Sequence, residues 1–149
     1  MHTPVATLLG RKTSSALRSL PPSATVADAV RLMNAHRLGS VLVLAEGRLA
    51  GIFTERDVLT RVVGMGRDPL ATPLAEVMTR DPVTVPPTAT VEEVMKIITA
   101  RRVRRLPVVD AGGAIAGVLS IGDVTRWLVD AHRAEAEHLR NYIGTSAPF

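Results

Sequence analysis

The chain is written twice. LPPSATV, from Leu20 to Val26, returns as VPPTATV from Val85 to Val91, an offset of 65. The match runs on. ADAVRLMNAHRLGS (27–40) lies over EEVMKIITARRVRR (92–105), and VLVLAEG lies over LPVVDAG. RLAGIFTERDV (48–58) then lies over AIAGVLSIGDV (114–124) at an offset of 66, the second copy having gained one Gly. A turn absorbs one extra residue more easily than any other element. Similarity sustained over this length marks a duplicated supersecondary unit, so the fold must be built from two like halves.

Each half has the same local pattern. An extended piece leads to Pro-Pro, and a helix then opens. Thr25 or Thr90 is its N-cap, with Asp28 or Glu93 three residues on, the spacing of a capping box. Val26, Ala29, Val30 and Met33 fall on one helical face, as do Val91, Val94, Met95 and Ile98. VLVLAEGRLAGIF and LPVVDAGGAIAGVL are apolar runs interrupted by Gly turns, which predicts a hairpin in each copy. A second helix follows from Thr54 and from Ser120.

The unit is therefore β-α-β-β-α, and the fold class α/β (α+β), two such units related by a pseudo-two-fold with a long C-terminal helix. A unit of about 60 residues is marginal alone, so the two sheets are expected to share one core. The boundaries read as 1–14 for an N-terminal segment, 15–73 and 74–130 for the repeats, and 131–149 for a C-terminal helix and tail. Between the copies, GMGRDPLATP reads as a loop and LAEVMT as a short helix. The last helix is expected from Asp123 to about Ile143, ending at Gly144 with SAPF frayed beyond it. Its stripe of Val129, Ala136, Leu139 and Ile143 is thin, better suited to a partner helix than to a core.

GIFTERD (51–57) and GVLSIGD (117–123) close the two copies. The plain reading is a capping box worth ~1 kcal/mol at each helix start. The sharper reading is a nucleoside phosphate grip. The first N–H groups of a helix are unpaired and face the positive end of its dipole. A hydroxyl there can donate to phosphate, and an Asp one turn on can accept both hydroxyls of a ribose. The residues alone leave both readings open. In RRVRRLPVVD, Arg101 and Arg102 suit a helix C-terminus. Arg104 and Arg105 stand where a strand begins and alternate in direction, so one of them can face the cleft between the copies. Their counterparts in the first copy are Gly39 and Ser40, so the two clefts differ in charge.

Composition removes several classes of function. Aromatic residues are 3% of the chain, which leaves few platforms for stacking nucleobases. There is no Cys, hence no disulfide or thiolate metal site, and a reducing cytoplasm is the expected compartment. No apolar run approaches the ~20 residues of a membrane span. MHTPVATLLGRK lacks the basic start and long apolar stretch of a signal peptide. The four His are scattered and no nucleophile has a base beside it, so the chain is not expected to be an enzyme. The net charge of +4, carried almost entirely by Arg, suits anionic partners. It makes nucleic-acid binding the alternative function, although no nucleic-acid motif is present.

The duplicated set, GIFTERD with GVLSIGD, the paired PP[ST]ATV helix openings and RRLPVVD, resembles a tandem pair of CBS domains, or Bateman module. The likeness runs from about Ser15 to Leu128. Met78 and Thr79 before the second copy, and Leu139, Tyr142 and Ile143 near the end, extend it to the small stand-alone bacterial CBS-pair proteins. The resemblance implies a regulatory sensor that binds adenine nucleotides between the repeats without turnover. AMP is the first candidate, with ADP, ATP and NAD as others. It implies ribose contacts from Asp57 and Asp123 and phosphate contacts from Thr54 and Ser120. Ser19, Leu20, Thr84 and Val85 would lie on strands lining the base pocket, and Arg56, Arg104 and Arg105 would be phosphate ligands. It also implies a homodimer and a downstream protein of unknown identity.

Overall fold

The computed structural model describes residues 2–10 and 18–146, with side chains described as far as residue 141. The expected start of the resemblance at Ser15, and the last three residues of the SAPF tail, lie outside the described residues. In chain order the elements are α1 (Val5–Gly10), β1 (Ser19–Leu20), α2 (Val26–His36), β2 (Ser40–Ala45), β3 (Arg48–Thr54) and α3 (Glu55–Asp57). From α3 the chain continues as a π-helical turn over Val58–Val62 and a 3-10 turn over Val63–Met65. There follow α4 (Leu74–Val77), β4 (Thr79–Arg80), α5 (Val91–Arg101), β5 (Arg105–Val109), β6 (Ile115–Ser120) and α6 (Ile121–Ser146). The last helix runs through Gly144 rather than stopping there.

The duplication is visible strand by strand. β1 pairs parallel to β2 with Leu20 opposite Val43, and Val85 makes the matching parallel bridge to Val108. The antiparallel hairpin β2–β3 places Ser40 opposite Thr54, and β5–β6 places Arg105 opposite Ser120. Both hairpins carry an irregularity at the same place, Val43/Leu44 and Val108/Val109. Glu46 and Gly47 turn the first hairpin with φ of 53° and 77°, the two left-handed residues a tight two-residue turn demands. In the second, Asp110 Oδ1 accepts the N–H groups of Gly112 and Ala114, both at 2.9 Å, and Gly113 takes φ 86°. That side-chain turn accommodates the extra Gly.

The helices α2 and α5 open on complete capping boxes at Thr25–Asp28 and Thr90–Glu93. Both end on an arginine in the left-handed region, Arg37 and Arg102.

The expectation of one joint core is corrected. The buried apolar residues form two clusters, one per copy. The first holds Val26, Ala29, Met33, Val41, Val43, Phe53, Val62, Leu74, Val77 and Met78. The second holds Val5, Leu8, Val85, Ala89, Val91, Val94, Leu106, Val108, Leu119 and Val124. Each unit closes its own core because each receives one extra helix. α4 packs into the first, and α1 into the second.

The two placements are equivalent. Leu74 N–H donates to Ala24 O and Ala75 N–H to Pro22 O. Val5 N–H donates to Ala89 O and Ala6 N–H to Pro87 O. Gly51 and Gly117 make room for the incoming helices. A Cβ at Gly51 would lie 2.7 Å from Met78 Sδ, and one at Gly117 would lie 2.9 Å from Leu9 Cδ2. The segment before the first repeat thus completes the second repeat, and the linker completes the first.

Candidate functional site

Thr54 ends β3 and caps α3. Its Oγ1 accepts the Asp57 N–H at 3.3 Å, and Asp57 Oδ2 accepts the Thr54 N–H at 3.0 Å and its hydroxyl at 3.2 Å. At the end of β6, Ser120 N–H donates to Asp123 Oδ2 at 2.8 Å, and Asp123 N–H donates to Ser120 Oγ at 3.1 Å. Both motifs are therefore capping boxes, as the plain reading has it.

They are not ordinary ones. Asp28 and Glu93 make the same boxes on α2 and α5 while exposed. Asp57 and Asp123 make theirs while 6% and 8% exposed. A cap does not require its carboxylate to be withdrawn from water, and withdrawing a charge is unfavourable unless it is paired. The pairing is present. Asp57 Oδ1 lies 3.6 Å from Arg61 Nε, and Asp123 Oδ1 accepts from Arg126 Nη2 at 2.6 Å. One carboxylate oxygen is used by the backbone, and the other faces a guanidinium on the solvent side. Arg61 also donates from Nη1 to Met78 O at 2.8 Å, tying the first motif to the segment that closes its core. The fitting signal in sequence was an Arg four or three residues after each Asp, the spacing of neighbours on a helix face.

The second feature joins the copies. Arg105, half-buried at the start of β5, sits opposite Ser120 in its own hairpin. Its guanidinium lies over Gly39 of the first copy, where an added Cβ would overlap it. The Gly39 carbonyl in turn accepts the N–H of Glu55 at 3.2 Å, the first residue of α3. Arg105 therefore reaches from the strand position opposite Ser120 to Gly39 of the first copy, the residue that holds the start of α3. Sequence reasoning placed Gly39 only as the counterpart of Arg104. Its role as the seat of Arg105 had no signal, because strand alternation gives a direction and not a neighbour.

The other candidates divide. Arg56 and Arg104 are exposed. Ser19, at the start of β1, and Thr84, before the bridge at Val85, are exposed, and Leu20 is half-buried against the first core. Val85 is 3% exposed within the second core, so its side chain packs inward. Its N–H and carbonyl are taken by Pro107 O and Val109 N–H at 3.1 and 2.9 Å. The structure joins Thr54 to Asp57 and Ser120 to Asp123, places Arg105 opposite Ser120 and over Gly39, and leaves Arg56 and Arg104 at the surface.

Comparison with known proteins agrees with the duplicated architecture. The family model for the CBS domain matches residues 1–64 and 74–130. A mitochondrial CBS domain-containing protein of Arabidopsis thaliana is 40% identical over 124 residues, 80% of this chain and 60% of the relative's length. A solved CBS-domain protein of Burkholderia ambifaria superposes with a TM-score of 0.82 at 35% identity, covering 86% of this chain and 95% of the other. A hexameric CBS-CP12 protein from bloom-forming cyanobacteria superposes with a TM-score of 0.74 at 27% identity, over 99% of this chain and 88% of its own.

Proposed function

The chain belongs to the CBS-domain family, and we propose that it is a regulatory sensor binding adenine nucleotides between its two repeats without turnover. The observation that carries this reading is the Arg105 guanidinium of one repeat seated over Gly39 of the other, whose carbonyl accepts the N–H of Glu55, between Thr54 and Asp57 in the chain. A guanidinium fits a phosphate in planar, bidentate fashion. Asp57 and Asp123 would turn a carboxylate oxygen to the ribose hydroxyls, the ligand displacing Arg61 or Arg126. Thr54 and Ser120 would contact phosphate. β1 at Ser19–Leu20 and the extended pair Thr84–Val85 would supply the wall on which the base rests.

AMP is the first ligand to test, then ATP and NAD. Binding becomes a signal when the nucleotide prefers one arrangement of the repeats over another. The receiver would be a protein of unknown identity, in a reducing compartment such as the cytoplasm. The Burkholderia neighbour is named for a supposed role in signal transduction, which fits such a part.

The test is calorimetric titration of the full chain, freed of carried-over ligand, with AMP, ATP and NAD. It is repeated on Asp57→Asn and Asp123→Asn. Asn keeps an oxygen for the capping N–H and removes the charge, so the fold is retained while the ribose contact is weakened. Saturable binding weakened about tenfold or more by one substitution, ~1.4 kcal/mol, assigns the ligand to that motif. A folded protein that binds none of the three refutes the reading and leaves two buried helix caps.

A further inference from the structure

The last carbonyls of a helix have no donor within it, and α4 is only one turn long. Arginines supply what is missing. Arg80 Nη2 donates to Ala75 O at 2.9 Å. Arg61 Nη1 donates to Met78 O at 2.8 Å and to Val77 O at 3.4 Å. Arg67 Nη1 adds an ion pair to Glu76 Oε2 at 2.8 Å. Val77 and Met78 are buried, so water is a poor substitute for Arg61 there.

Arg61 also touches the first motif. Its Nε lies 3.6 Å from Asp57 Oδ1. Nε and Nη1 belong to one rigid plane, so the group cannot turn away from Asp57 without moving the donor on Met78 O. The turn that carries it, Val58–Val62, is π-helical, a form that recurs at functional sites. Beyond Met78 the chain forms β4, which pairs with β3 at Ile52 and Gly51, and runs on to Thr84–Val85 in the second repeat. The second motif lacks this connection. Among the described residues the Arg126 side chain pairs with Asp123 alone and is 73% exposed, and the counterpart of Arg61 is Trp127, which leans on the core.

We propose that Arg61 is a latch with two seats, through which occupation of the Thr54–Asp57 motif is passed to α4 and β4. The proposal rests on the reading above, that a nucleotide ribose takes the Asp57 carboxylate. A ribose hydroxyl at Oδ1 displaces the guanidinium, and Met78 O and Val77 O lose their donor in the same movement. α4 and β4 then lose part of what holds them to the first repeat, and the segment leading into the second repeat is loosened. Only the first motif reports in this way, because only its arginine has a second seat.

The test is hydrogen exchange of the full chain, read by mass spectrometry over residues 74–80, with residues 4–9 of the equivalent helix α1 as the internal control. Without nucleotide, Arg61→Met should speed exchange over 74–80 about tenfold and leave 4–9 unchanged. Arg61→Lys keeps the charge but cannot fill both seats, so it should fall between the two. Saturating AMP, its binding followed by calorimetry, should speed exchange over 74–80 in the natural chain. It should have no such effect in Arg61→Met, which still binds AMP. Unchanged exchange in nucleotide-free Arg61→Met would overturn the latch. So would AMP binding that Asp57→Asn weakens but that leaves 74–80 of the natural chain unchanged or slower; in both cases the nucleotide reading stands. Loss of AMP binding in Arg61→Met would overturn the latch by making Arg61 a ligand contact, and AMP held at the Asp123 motif alone would overturn it as well. No binding of AMP, ATP or NAD to the natural chain would overturn the latch and the nucleotide reading together.

Discussion

Leu8→Ala tests whether the segment before the first repeat is a structural part of the second. Leu8 is 3% exposed and lies in a cluster with Val85, Ala89, Val94, Leu106 and Leu119, all of them from the second copy. The substitution removes three carbons from that cluster. At about 0.8 kcal/mol for each buried methylene the transfer loss is ~2.4 kcal/mol. The cavity left behind raises the expected total to about 3 kcal/mol, within the range measured for buried Leu→Ala changes. Against a domain stability of order 5–15 kcal/mol this is large and easily measured. Urea unfolding gives the total. Native-state hydrogen exchange gives its location, since local openings need not be global. Amides of α5, β5 and β6 should lose protection first, although Leu8 precedes the first repeat in sequence. Val77→Ala, the matching change in α4, should lose ~1.6 kcal/mol in transfer and act first on α2, β2 and β3. A loss below about 1 kcal/mol for Leu8→Ala, or protection falling first in the first repeat, would refute this assignment of α1.

Two further predictions rest on single contacts. Gly39→Ala should leave the unfolding free energy within about 0.5 kcal/mol, because the atom it meets is the free end of a long side chain. It should nonetheless weaken AMP binding about as much as Arg105→Ala, with the double variant no worse than either, as non-additive neighbours behave; additive losses in the titrations would separate the two residues. Hydrogen bonds from the Thr25 backbone and side chain, with Arg31 nearby, hold the Asp28 carboxyl below its ordinary value of 3.8. The stabilisation this gives is present above that value and is lost as pH falls through the lowered one, so the stability difference between the natural chain and Asp28→Asn should shrink in urea unfolding from pH 5 down to pH 2.

The parts of the fold that sequence could supply were those written in local chemistry. The Thr25 and Thr90 caps, the hairpin turns at Gly47 and Gly113, and the faces of α2 and α5 each depend on residues close along the chain, and each formed as read. The first motif's helix did not continue like the second's. Its π-helical turn contains Arg61, which is drawn to the Met78 carbonyl, and the 3-10 turn that follows ends at Gly66 with φ 66°. In the second copy the counterpart of Arg61 is Trp127, which leans on the core, and α6 continues unbroken.

The role of α1 was missed for a different reason. PVATLL (4–9) and PLAEVM (73–78) occupy equivalent places at an offset of 69 instead of 65, with only Pro and Ala in common. The apolar positions Val5/Leu74, Leu8/Val77 and Leu9/Met78 carried the likeness. Since each helix packs on the repeat that does not follow it, no local pattern could show which core it completes.

The duplication supplies two equivalent motifs, but the residues joining them are not equivalent. Where the second repeat has Arg104 and Arg105, the first has Gly39 and Ser40. Arg105 can lie over Gly39 only because Gly39 has no side chain. By the same two-fold, the short hydroxyl side chain of Ser40 stands where Arg105 would have to stand to serve the other motif, and it cannot span that distance. One cation therefore serves one side of the pair. A ligand bearing phosphate on both sides of the boundary would meet a guanidinium at one motif and none from the matching position at the other. The asymmetry favours one strong site and one weaker site over two equal ones. In titrations with AMP, two resolved affinities, or saturation at one nucleotide per chain, follow from it. Two identical sites would contradict it.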